Sequence, residues 1–255
     1  MRGPLRILFA AALLLAGLAP ASAERLVTSL STHQVMISSN FTGTELVLFG
    51  SIERDAATVP RRGGYDLVVT VIGPREGMVT RRKSRFLGIW TNTQSYTFDR
   101  APAYLAVLSN RPLDAIIPSP DIASRMEIGL RNFPLLQANE TQPPEEFRDA
   151  LIRLRKERGL YREETSAITF LTPNLFRASI TIPAESDLGN YEVDVKLFAD
   201  STNIARTSSA LEIVKVGIEQ FVANSARDHA LLYGLATTLM ALLTGWFASI
   251  VFRRD

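Results

Sequence analysis

Short runs rich in β-branched and aromatic residues, separated by Gly, Pro, Asn and Asp, set the pattern of the chain between Val35 and Ser109: QVMIS, TELVLFGSI, YDLVVTVIG, MVTRRKSRF, SYTFD and YLAVLS. Six or seven strands at this spacing predict an immunoglobulin-like β-sandwich. The pattern returns beyond Tyr161. Phe176, Ala178, Ile180 and Ile182 alternate with Arg177, Ser179 and Thr181, and Tyr191, Val193, Val195 and Leu197 alternate with Glu192, Asp194 and Lys196. This period of two predicts strands with one buried and one wet face. Asp187-Leu188-Gly189-Asn190 and Asp200-Ser201-Thr202-Asn203 read as the turns.

A helical stretch separates the two β regions. Ser119 reads as a cap with Pro120 at the first helical position, and the helix is expected to run to about Asn132, ahead of Pro134. A second helix is expected from Pro143-Pro144-Glu145-Glu146 to Gly159, with Phe147, Ala150, Leu151 and Leu154 as its apolar stripe.

Both ends have a different pattern. Arg2 and Arg6, the apolar run Ile7 to Leu18 and Ala21-Ser22-Ala23 predict a cleaved export signal, with Glu24 as the first mature residue. Leu231 to Phe252 contains no charge, and its 22 residues at about 1.5 Å each cover about 33 Å, enough to cross a bilayer. Arg253 and Arg254 follow it directly, which places the C-terminus in the cytoplasm and the β region in the periplasm of a bacterial inner membrane.

The expected organisation is therefore signal peptide 1–23, first β module 24–112, helical insertion 113–160, second β module 161–216, juxtamembrane stalk 217–230, transmembrane helix 231–252 and cytoplasmic tail 253–255. The residues 161–216 are few for a complete seven-strand domain, so this stretch reads either as a truncated second sandwich or as strands lent to the first. The fold class is mainly β, one or two sandwich modules with a helical insertion, plus one C-terminal membrane helix.

Charge changes the picture only by exclusion. Of 28 Lys and Arg, two lie in the leader and two in the tail, leaving 24; of 26 Asp and Glu, only Asp255 lies outside the exported part, leaving 25. That near-neutral balance gives no general electrostatic case for nucleic acid. With no Cys, thiol catalysis, iron–sulfur clusters and cysteine zinc sites are excluded. His33 and His229 are the only histidines, and nothing in the sequence brings them together as a metal site. No G-x-S-x-G elbow, Walker loop or H-E-x-x-H helix is present, so no catalytic residues, cofactor or metal are expected.

Two constellations remain as candidate sites. Arg81, Lys83 and Arg85 should project from one face of a strand, with Arg82 opposite and Arg61, Arg62 and Arg75 in nearby turns. They read as an anion or lipid-headgroup site, or as a charged edge that discourages strand pairing. Trp90 and Asn92 would wall that site, although a Trp in a sandwich is more often a core residue. In the membrane segment Thr237, Ala241, Gly245 and Ser249 recur every four residues and would form a packing face for another helix, either of a partner or of a second copy of this chain.

The runs FTGTELVLFGSI through YDLVVTVIGP, RRKSRF, GIWTN and SNRPLD, then YEVDVKLFAD, IEQF and the terminal span, resemble a family of alphaproteobacterial transmembrane proteins of unknown function. The resemblance covers most of the mature chain. It brings no activity or catalytic residues with it, but it implies an association with sulfite-exporter-like permeases. The expected function is that of a non-enzymatic binding or accessory module for a polytopic membrane protein. The alternatives are a membrane-tethered enzyme with a site assembled by the fold, and a structural envelope protein.

Overall fold

A computed structural model of the chain describes residues 24–38, 40–54, 64–135, 143–217, 222 and 225–252. The expected signal peptide, Arg61, Arg62 and the tail 253–255 lie outside the described residues.

The chain is mainly β. Twelve described strands run in the order β1 (Glu24–Leu30), β2 (Gln34–Ile37), β3 (Gly43–Arg54), β4 (Asp66–Ile72), β5 (Arg75–Phe86), β6 (Ile89–Pro102), β7 (Leu105–Ser109), β8 (Tyr161–Thr165), β9 (Ile168–Phe170), β10 (Leu175–Pro183), β11 (Gly189–Ala199) and β12 (Thr202–Lys215). Helices α1 (Leu113–Ile116), α2 (Pro120–Arg125) and α3 (Glu145–Glu157) lie between β7 and β8, and α4 (Ala230–Val251) ends the described chain.

A four-stranded sheet, β1-β3-β10-β9, faces a six-stranded sheet, β2-β12-β11-β4-β7-β8. Leu48, Ile52, Phe176, Ile180 and Ile182 of the first meet Leu67, Val69, Val193, Val195 and Leu211 of the second in one core. Strands from the two β regions are interleaved in both sheets, since β10 pairs with β3 and β11 with β4. Of the two arrangements the sequence leaves open, the strands of 161–216 join those of 24–112 in one sandwich. The division into two modules does not describe it.

The expectation of a wet face on β11 fails for a topological reason. Strand β8 lies parallel to β7, and a parallel neighbour needs a long crossover, which lays the intervening helices on the face of the sheet. Ile116, Ile128, Leu130, Phe133 and Ile152 of the insertion therefore join the core, and Asp194 and Lys196 are buried beneath it.

The helix expected from Ser119 to Asn132 is shorter than predicted: α2 ends at Arg125, after which Glu127 (φ 57°) and Gly129 (φ 94°) turn the chain left-handed. Helix α3 matches its expected limits, with Gly159 at φ 70° beyond its end. Its stripe is rotated, however: Phe147, Leu151 and Ile152 are buried and Leu154 is exposed. Arg155 turns inward instead, pairing with Glu76 at 2.7 Å.

The SNRPLD run fastens one end of the six-stranded sheet. Asn110 accepts from the Leu67 amide at 2.8 Å and donates to Asp66 at 2.9 Å, while the Arg111 guanidinium forks onto the Asp66 carboxylate. At the opposite end, strands β4 and β7 continue past the sandwich as β5 and β6, a separate two-stranded hairpin.

Candidate functional site

The hairpin is built in two halves. In the lower half, even-numbered positions of β5 turn toward α3: Met78 and Thr80 are buried, and Arg82 pairs with Glu146 at 2.9 Å. Met78, Phe98, Ala101, Leu135, Phe147 and Leu151 form a small second core, with Tyr96 between Phe98 (ring centroids 5.0 Å) and Phe147 (5.8 Å). Arg75 at the root lies over the Phe133 ring at 5.8 Å, and Tyr161 donates a buried hydrogen bond of 2.8 Å to the Pro102 carbonyl. The root is thus held by the insertion and by the sheet.

The upper half has no such support among the described residues. Phe86, Leu87, Ile89 and Trp90 are 65%, 87%, 68% and 67% exposed, so the most apolar part of the hairpin is also its least covered. Trp90 is therefore not a core tryptophan. A hairpin arm and a sheet strand share the period of two, so local pattern could not distinguish them.

Arg81, Lys83 and Arg85 share the face of β5 that points away from α3, with Arg82 on the other. A bulge in β6 at Thr93 shifts the register by one residue, so that Asn92 lies opposite Lys83 and Trp90 opposite Arg85. All five residues singled out in the sequence thus lie on one open face. From Gly77 to Phe98 the chain holds four cations and no acid. Only Arg82 has a carboxylate partner among the described residues. Like charges on one strand face repel one another unless an anion lies among them.

A second polar cluster escaped the sequence reading. The buried Asp194 carboxylate accepts from Lys196 Nζ at 2.8 Å and from Arg206 Nε at 2.6 Å. That bond to Asp194 raises the pKa of the Arg206 guanidinium. With Thr70, Ile72, Arg125, Met126, Glu127, Phe133 and Asn203 these residues line a cleft of about 340 Å³ between sheet and insertion. A sequence signal did exist: Phe198 follows Lys196 on the same face, and a large apolar residue there implies cover. Among the described residues no three His, Cys, Asp or Glu side chains gather where they could hold a metal.

Helix α4, 22 residues without a charge, is long and apolar enough to cross a membrane, and nothing described in the chain buries it. Thr237, Ala241 and Gly245 line an open groove together with Met240, Thr244 and Ala248. Ser249 does not. Each step of four residues overshoots a turn by about 40°, so three steps carry Ser249 about 120° away from Thr237. The Thr237 and Thr244 hydroxyls bond to carbonyls of their own helix, which leaves the groove nearly without unsatisfied polar groups.

No curated protein sequence matches the chain. Among solved structures, the N-terminal domain of a Streptococcus gordonii adhesin is similar at 8% identity and a TM-score of 0.28. That match covers 74% of this chain, which spans 32% of the length of the adhesin chain, and it carries no argument about fold or function. Residues 25–254 match the family described as "Putative transmembrane protein (Alph_Pro_TM)", and with nearly all of the β region and α4 inside that match, the chain belongs to this family of transmembrane proteins.

Proposed function

We propose that the chain is a non-enzymatic accessory subunit, a β-sandwich held at the periplasmic face of a bacterial inner membrane and bound through α4 to a polytopic membrane protein. The observation that carries this reading is the groove on α4, in which Ala241, Gly245 and Ala248 leave the helix backbone open to close approach. A β-carbon at Gly245 would meet nothing in this chain. In lipid, small residues favour helix association because backbones can pack at short range. Arg253 and Arg254 after the span support the orientation. Asp194 and Lys196, both buried, are paired with each other, which supports a structural role for them. The family resemblance favours a sulfite-exporter-like permease as the partner.

Purification of the full-length chain from native membranes in mild detergent tests this reading. A polytopic protein should accompany the wild type and be lost from Gly245→Leu, with membrane insertion unchanged. A chain that purifies alone, or a partner retained by Gly245→Leu, would overturn it.

A further inference from the structure

We infer that the β5–β6 hairpin is a second membrane attachment, whose tip enters the headgroup region of the leaflet on the sandwich's side and is held there by anionic phospholipids. This rests on α4 crossing the membrane and not on the identity of any protein partner.

Strand direction brings the hairpin to the correct end of the molecule. Strand β4 is antiparallel to β11, and β11 is antiparallel to β12, so β4 and β12 run the same way. In register, Ile72 and Ala210 both lie opposite Glu192. The hairpin therefore leaves the six-stranded sheet at the same end from which β12 runs on, through Lys215, toward α4. Fourteen residues, 216–229, separate β12 from α4. A chain of fourteen residues reaches at most about 46 Å. The 12 residues of β5 measure about 40 Å along the strand, within that limit.

The chemistry of the tip fits that position. Phe86, Leu87, Ile89 and Trp90 would form a hydration liability if left in water, whereas Trp and large apolar side chains partition to the membrane interface. Arg85 stands directly behind them, at the depth of the phosphates once the tip is inserted, with Lys83 and Arg81 about 7 and 13 Å farther out along the strand, and basic groups near an anionic surface each strengthen binding by up to about fivefold. No acid lies from Gly77 to Phe98, so the outer part of the arm carries nothing that opposes a negative surface, and Glu76 and Asp99 stay at its root.

The chain has two tryptophans, Trp90 and Trp246, so a full-length Trp246→Phe protein reports on the arm alone. It would be reconstituted into nanodiscs of phosphatidylcholine, with or without a quarter of phosphatidylglycerol, carrying bromine at shallow acyl positions. Trp90 emission should shift to the blue and be quenched in the anionic discs, several-fold less so in the zwitterionic ones. Gln at 81, 83 and 85 together should at least halve the quenching, and Leu87→Asp should abolish it, while circular dichroism shows both variants folded. A fully hydrated, unquenched Trp90 in anionic discs would overturn the proposal. So would blue-shifted emission that bromine does not quench, which would mean that protein covers the tip. Equal quenching in both lipids would overturn the role given to anionic headgroups. Gly245→Leu should leave the signal unchanged, which separates this inference from the accessory-subunit reading.

Discussion

The ring of Phe176 occupies the space that a β-carbon on Gly50 would need: an added carbon would lie 2.2 Å from its Cζ. The two are cross-strand partners between β3 and β10, and Phe176 is fully buried. Ala is ordinarily the better strand residue, so the sign of its effect here tests the contact. Gly50→Ala should destabilise the protein by about 1–3 kcal/mol through overpacking. Adding Phe176→Leu should recover part of that loss. Denaturant unfolding of the detergent-solubilised chain would measure both.

Asp194 supports a different prediction. Its carboxylate neutralises the buried Lys196 ammonium and also holds Arg206. Breaking a buried pair from one side leaves an uncompensated charge, so Asp194→Asn should cost about 3–5 kcal/mol. Replacing both partners, Asp194→Leu with Lys196→Met, should cost less than the single change, because no charge is then left in the low-dielectric layer. A double-mutant cycle on unfolding free energies would read the coupling directly.

These two cases mark where local pattern was and was not sufficient. The buried faces of β10 and β11 could be read from alternation, and α3 from its apolar stripe and Gly159. The membrane helix followed from length and lack of charge. What alternation does not encode is cover on the second face, because that depends on a parallel β7–β8 pairing across the whole insertion. Nor does it reveal that β5 and β6 leave the sheet. Arg81, Lys83, Arg85, Trp90 and Asn92 share one face of the hairpin because their spacing is local, while the exposure of Trp90 depends on tertiary structure. On α4 each step of four overshoots a turn by about 40°, so Ser249 drifts away from the face of Thr237.

Four tyrosines make alkaline pH informative. Burial raises the phenol pKa of Tyr65, Tyr104, Tyr161 and Tyr191 above its ordinary value of 10.0. Tyr104, Tyr161 and Tyr191 donate to the carbonyls of Thr181, Pro102 and Asp187, bonds that the ionised phenolate would lose. A raised folded pKa means that the unfolded chain releases its protons first. The associated stability is therefore complete below pH 10 and declines as pH rises from there toward the folded values. The slope should approach about 1.4 kcal/mol per pH unit for each of Tyr104, Tyr161 and Tyr191, whose phenols burial raises furthest. Unfolding free energies at pH 8 to 11.5 should show the decline beginning near pH 10, and it should be shallower in Tyr104→Phe.

The last prediction concerns how the arm is held. Phe147 is the α3 residue that meets Tyr96, and with Leu151 it closes the small core around Met78 and Phe98. That core is separate from the one between the sheets, so its loss should be local. Phe147→Ala removes a large, nearly buried ring and should cost about 3 kcal/mol where the cavity cannot collapse. The energy falls on the packing between α3 and the hairpin, not on the β3–β10 or β4–β11 pairings. Hydrogen exchange should therefore accelerate through β5, β6 and α3 by up to about a hundredfold, with the amides of β4, β11 and β12 close to wild-type protection. Uniform acceleration across both sheets would instead mean that the hairpin and the sandwich unfold as one unit. In that case the arm would be a rigid extension of the β4–β7 pair, held by the main core as firmly as the sheet that carries it.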